Sequence, residues 1–349
     1  MGIQRNRKRV LLLGILGLLA GGVVMGVSNR WFKAQEASQE LSAWLVDWHW
    51  EQGLEDVNAL QNLDSLQVFA GYFNHEDQLF FNESMKALFT SMNEIYPRES
   101  PYPIYLTLVN DRYSEQGVSL QKDSELLERL FESKESRERH IQEILTIVNQ
   151  RGFSGVEIDY ERVGINLWDR YSLFLEELYG ALNRMGKSLR VVLEPGIPID
   201  RIQLPKGPTY VMMVYNLYGY HSGPGPKADN GLIQRVGEKL DQIPGEKYMA
   251  FATGGFLWRG DGKIIALTEA QARKMKAEKG GQAQRDELSG SVHFSFYDEN
   301  QQKHTVWYAD EITLEGWIQE ARRTGYHKIA LWRLGELGEE TLAYFNRLK

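Results

Sequence analysis

Eight extended apolar segments alternate with stretches of helical period along this chain, and few folds accommodate such an alternation. The extended segments read as Ala43–Trp48, Ser65–Phe73, Ile104–Asn110, Phe153–Glu161, Leu189–Glu194, Tyr210–Tyr215, Tyr248–Thr253 and Lys328–Arg333. Between them, Ile141, Ile144, Leu145 and Val148 share one helix face, as do Trp168, Tyr171, Phe174, Leu175, Leu178 and Leu182. Gly152 and Gly186 stand just past those two helices, where a left-handed residue closes the last turn. Strand and helix repeated in this way predict an α/β chain with a parallel sheet, and eight units close it into a (β/α)8 TIM barrel, expected over residues 42–349. The stretch Arg259 to Tyr308 is too long for a loop and predicts a small α+β insertion after strand seven.

The N-terminus sets the compartment. Arg5, Arg7, Lys8 and Arg9 make residues 1–9 a basic stub, and an unbroken apolar or glycine run follows over Val10–Val27. Its length approaches the ~20 residues that span a bilayer, so it predicts a signal-anchor helix holding the chain to a membrane, or a cleaved signal and secretion. Positive charges before the run place the remainder outside the cytoplasm. Residues 28–41 read as a linker.

Other classes are excluded by composition. The 40 Lys and Arg against 47 Asp and Glu give a net charge of −7, and beyond the first residues the cations are scattered, so nucleic acid is not an expected partner. The chain has no cysteine, which removes disulfides, thiolate nucleophiles and thiolate metal sites. His49, His75 and His221 lack a ligand spacing, so no metal is expected. Gly254–Gly255–Phe256 and Gly280–Gly281–Gln282 lack the rest of a phosphate loop, so neither is a nucleotide cofactor. No internal repeat is evident, and a monomer is expected.

Chemistry concentrates in Gly152–Glu161, where Val156, Ile158 and Tyr160 alternate with Glu157, Asp159 and Glu161. Strand side chains alternate faces. With the apolar set against the covering helices, three carboxyl groups point into the barrel and climb toward its C-terminal mouth. Carboxyls so close in a poorly solvated site cannot all ionise, and one that keeps its proton near neutrality suits a general acid.

Ser154–Glu161 resembles the strand-four signature of glycoside hydrolase family 18, Asp-Gly-x-Asp-x-Asp-x-Glu, matching at Gly155, Asp159 and Glu161 and departing at Ser154 and Glu157. Met213–Asn216 resembles the family's Met-x-Tyr-Asp on strand six, and Leu331–Gly335 its Trp-bearing strand-eight end. Tyr218–Pro226 looks like the aromatic and Gly/Pro loop of the spore-cortex and cell-wall branch. The resemblance implies hydrolysis of a β-1,4-linked N-acetylglucosamine-containing polysaccharide, with peptidoglycan favoured over chitin and a part in spore germination. It further implies substrate-assisted catalysis, with Glu161 as acid and base, Asp159 orienting the acetamido group and Tyr215 donating to it. Trp332 would floor the reacting sugar, with Glu157, Asn216 and Met213 around it. Trp48, Tyr72, Tyr218 and Trp258 fall near strand ends where sugar subsites are expected. A chitinase or chito-oligosaccharide hydrolase, and a non-catalytic glycan-binding barrel, remain open.

Overall fold

The computed structural model describes residues 39–95, 100–114, 117–279 and 282–348. The expected basic stub and anchor helix lie outside the described residues, as does most of the expected linker; no helix among the described residues is long and apolar enough to cross a membrane. Eight parallel strands form the barrel: β1 (Glu40–Val46), β2 (Ser65–Phe73), β3 (Ile104–Ser114), β4 (Gly155–Asp159), β5 (Ser188–Leu193), β6 (Thr209–Met213), β7 (Lys247–Ala252) and β8 (Lys328–Trp332). Each pairs with the next, and β8 returns to β1 with Glu40 opposite Lys328, closing the sheet. The expected strands are all present, with ends displaced by a few residues.

Alternation along the strands makes two cores. Leu45, Val68, Leu106, Val156, Ile158 and Val191 pack outward against the helices. Trp44, Val46, Val109, Val192, Val211 and Tyr215 fill the interior with their neighbours. Each helix forms where its apolar stripe meets that outer surface. Lys134–Gln150 starts in a capping box between Ser133 and Ser136 and buries Ile141, Ile144 and Val148. It and Trp168–Arg184 end before Gly152 (φ 73°) and Gly186 (φ 66°), both left-handed as the sequence requires.

Two expectations are corrected. The fifth βα unit has no α-helix: between β5 and β6 lies only the short 3-10 turn Ile199–Arg201. Pro195, Pro198, Pro205 and Pro208 crowd that segment, each lacking an N–H and each obstructing a helix at the preceding turn. The insertion also begins earlier than Arg259. Strand Gly254–Trp258 leaves β7 after a single residue and joins a five-stranded antiparallel sheet with Ile264–Leu267, Gln284–Arg285, Val292–Tyr297 and Lys303–Ala309. Helix Glu269–Lys279 covers one face through Ala272 and Met275, against Leu257, Val292, Phe294, Val306 and Tyr308. A Cβ on Gly255 would lie 1.8 Å from the Trp307 carbonyl oxygen, so this glycine is dictated by close strand packing.

Candidate active site

Active sites of (β/α)8 barrels form at the C-terminal ends of the strands, and β4 delivers its polar residues there in steps. Lowest is Glu157, wholly buried. Its ladder partners are Thr107 on β3 and Arg190 on β5. Thr107 Oγ1 donates to Oε1 at 2.9 Å, Trp44 Nε1 donates to the same oxygen at 2.5 Å, and Arg190 Nε donates to Oε2 at 2.9 Å. The Arg190 guanidinium in turn lies 4.7 Å from the ring centre of Tyr248. The expected sugar contact of Glu157 is thereby corrected: three donors occupy its carboxylate inside the barrel, and no part of it is open to a ligand.

Asp159 is the next inward residue. Its Oδ1 is buried with no hydrogen-bond partner among the described residues. Burial, with the charges of Glu161 and Glu157 close by, raises its carboxyl well above the usual range.

Glu161 stands just beyond the strand, with its backbone fixed by one side chain. Asn110 Oδ1 accepts the Glu161 N–H at 2.9 Å, while Asn110 Nδ2 donates to the Glu161 carbonyl at 3.0 Å. The Glu161 carboxylate pairs with the Lys122 ammonium group. Burial raises the Glu161 carboxyl to about 7, with Lys122 pulling it down and Glu194 pushing it up. At that value it exchanges a proton readily near neutrality.

Tyr215, past the end of β6, is buried beside these groups. Burial, reinforced by the charges of Asp159, Glu161 and Glu157, drives its hydroxyl well above the ordinary value, so it stays an O–H donor. Asn216 follows in a left-handed conformation (φ 62°), which asparagine tolerates better than most residues. A cavity of about 350 Å³ opens here, lined by Glu161, Lys122, Glu194, Met213, Tyr215 and Asn216 among others.

Aromatic residues flank this centre. The half-buried Trp332 ring lies 4.9 Å from Phe69, 5.8 Å from Trp44 and 6.4 Å from Trp48, and the Trp332–Arg333 peptide is cis. Trp48 is 52% exposed and Tyr218 38%, so both present surface to solvent. Two other expected subsite aromatics are corrected. Tyr72 is 2% exposed and its hydroxyl donates to Asp47 Oδ1 at 2.6 Å; Trp258 is 7% exposed and its Nε1 donates to the Ser222 carbonyl at 2.9 Å. Both are packing residues whose polar ends already have partners. The sequence reading missed Lys122, Glu194, Asn110 and Arg190. Only Arg190 had a local signal, a charge within an otherwise apolar strand.

A closed parallel barrel bearing a carboxyl ladder on its fourth strand, with a tyrosine and a tryptophan at the strand ends beside it, is the frame of a glycosidase. The chain belongs to the glycosyl hydrolases family 18, whose pattern matches residues 43–336, and is a glycosidase by that membership. It is 25% identical to the glycosylase YvbX of Bacillus subtilis over 65% of this chain and 70% of that protein. It is 23% identical to the cortical fragment-lytic enzyme of Bacillus subtilis over 66% of this chain, but spans only 56% of that relative's length. The fold matches that of the Bacillus cereus spore cortex-lytic enzyme SleL with a TM-score of 0.75, at 18% identity over 89% of this chain and 74% of that one.

Proposed function

We propose that this glycosidase cleaves β-1,4-linked N-acetylglucosamine-containing glycan, with peptidoglycan as its substrate, by retaining, substrate-assisted catalysis. The observation that carries this reading is that Glu161 and Tyr215 line one cavity, with Asp159 buried one inward step before Glu161 on β4 and the Glu161 carboxyl raised to about 7. In the first step the acetamido oxygen of the sugar attacks its own C1. The bond from C1 to the leaving oxygen breaks, and that oxygen takes the Glu161 proton. Asp159 holds the acetamido N–H while positive charge develops on the forming ring, and Tyr215 donates to the acetamido oxygen. Water then adds to C1, giving its proton to the Glu161 carboxylate as the bond from C1 to the acetamido oxygen breaks. The acetamido group is restored, and the hydroxyl at C1 keeps the original configuration.

Trp332, with Trp48 beyond it, offers an apolar floor to a sugar's C–H face. Preference for peptidoglycan over chitin draws on the relative that lyses cortical fragments and on the N-terminal run Val10–Val27, which would hold the catalytic barrel outside the cell membrane. Cell fractionation tests that placement: recovery of the chain in the cytosol would contradict it. A non-catalytic binder would have no use for a carboxyl poised to exchange a proton. Mass spectrometry of fragments released from purified peptidoglycan and from chitin oligomers tests the reading. A new reducing-end N-acetylglucosamine from peptidoglycan is expected; a reducing-end muramic acid, or no release from either, would overturn it.

A further inference from the structure

Two charged residues outside the strand-four motif stand at the Glu161 carboxyl, one from the β3 hairpin and one from the end of β5. Lys122 follows the return strand Gly117–Leu120, which pairs antiparallel with the far end of β3. Its ammonium group meets Glu161 Oε2, and both residues line the cavity. Glu194 follows β5; its Oε2 accepts the N–H of Arg162 at 2.9 Å, and it lines the same cavity as Glu161, whose carboxyl it pushes upward.

The backbone around this pair is built to a demanding geometry. Lys122 (φ 54°) and Arg162 (φ 56°) are both left-handed, although neither is glycine. Such positions cost of the order of 1 kcal/mol or more and persist where surrounding contacts over-determine them. The contacts are visible: Lys122 N–H donates to Asp111 Oδ1 at 2.8 Å, and Asp123 caps helix Ser124–Leu130 while accepting from Arg112 Nε at 3.0 Å. Asn110 Nδ2, which holds the Glu161 backbone, also donates to the Asp123 carbonyl at 3.3 Å. The segment carrying Lys122 and the backbone of Glu161 are thus fastened to one side chain.

We propose that Lys122 and Glu194 are positioning residues that clamp the Glu161 carboxyl, aiming it at the scissile oxygen and balancing its two roles, proton donor and then proton acceptor. Glu194 favours the protonated form needed in the first step. Lys122 favours the carboxylate left once the proton has gone, and so strengthens the acid. The titratable groups facing Glu161 are Lys122 from the β3 hairpin, Glu194 from β5, Tyr215 past β6 and Asp159 from its own strand, with Asp111 bonded to the Lys122 backbone. Only Lys122 among these is cationic. This inference rests on the role given to Glu161 in the proposed function.

The test compares wild type, Lys122→Met, Lys122→Arg and Glu194→Gln by the pH dependence of kcat/KM on a peptidoglycan fragment. Side-chain carboxyl NMR of protein labelled with ¹³C-glutamate runs in parallel, with the Glu161 signal assigned by its loss in Glu161→Gln. Without Lys122 the acid holds its proton longer, so the alkaline limb should move up by roughly one pH unit; Lys122→Arg should restore it, and Glu194→Gln should move the limb down. The NMR midpoints should move in the same opposed directions, and that readout needs no turnover. An inert wild type whose Glu161 midpoint still shifts as stated would support the clamp while refuting the proposed reaction. An active enzyme whose limb and midpoint stay fixed in folded Lys122→Met and Glu194→Gln would overturn the clamp and leave the reaction standing.

Discussion

At the scale of single residues, neighbouring carboxyls on β4 do different work because their surroundings differ. Glu157 meets a guanidinium, an indole N–H and a hydroxyl, and functions as the ionised half of a buried pair. Asp159, one inward step later, has an oxygen with no hydrogen-bond partner among the described residues and a carboxyl raised well above the usual range. Glutamate in place of the family's first inward aspartate is long enough to span to Arg190 and Trp44. Removing one member of a buried pair strands the other charge, a loss of typically 3–5 kcal/mol. Glu157→Gln is therefore expected to destabilise by roughly that amount in denaturant unfolding, while the folded fraction keeps its kcat within a few-fold. Unchanged stability with lost activity would instead put Glu157 in the reaction. The carboxyl ladder itself was legible because strand alternation is a local property. Lys122, Glu194 and Asn110 were not legible: they reach Glu161 from β3, its hairpin and β5, and only barrel closure brings those segments together. Tyr72 and Trp258 mislead for a related reason, since an aromatic near a strand end reads alike whether it faces a cleft or the core.

At the scale of elements, helices with long apolar stripes and left-handed glycines after them were readable, because stripe and cap lie within one short window. The missing helix after β5 was readable too, in the four prolines of the segment, but eightfold regularity pointed the other way. The insertion was recognised by its length and misplaced at its start. Gly254 and Gly255 were weighed only as a phosphate loop, whereas they turn β7 directly into the second sheet. Gly254 is left-handed (φ 61°), and a Cβ there would sit 2.3 Å from the Leu267 carbonyl oxygen. At Gly255 the obstacle is the Trp307 carbonyl of the paired strand, which cannot move aside as a flexible side chain could. Gly255→Ala is expected to destabilise by about 1–3 kcal/mol, the usual range for overpacking, with cleavage inside residues 254–309 appearing first under limited proteolysis. Wild-type proteolysis and melting in this variant would show that the two strands can separate without cost.

At the scale of the whole molecule, the site is assembled at the expense of stability. Asp159 titrates in the ordinary range when unfolded and well above it when folded; Glu161 at about 7 shares that sign. Through the interval between the two values the folded state holds a proton that the unfolded state has released, so stability falls as pH rises. Asp159→Asn should accordingly melt above wild type at pH 7–8, and the difference should vanish below about pH 4, where the carboxyl is protonated in both states. Melting curves that differ equally at every pH would deny Asp159 its raised value. The same variant should lose activity, since an amide can orient the acetamido group but cannot balance the charge forming on it. The most direct measurement is hydrolysis and glycan binding by Glu161→Gln beside wild type, since glutamine keeps the shape and cannot deliver a proton. Hydrolysis should fall by at least roughly 10²–10⁴-fold, the usual worth of general acid–base catalysis, with binding of chito-oligomers and peptidoglycan fragments retained. A variant that hydrolyses as fast as wild type, or a wild type that binds glycan and cleaves none, would contradict the assignment of Glu161.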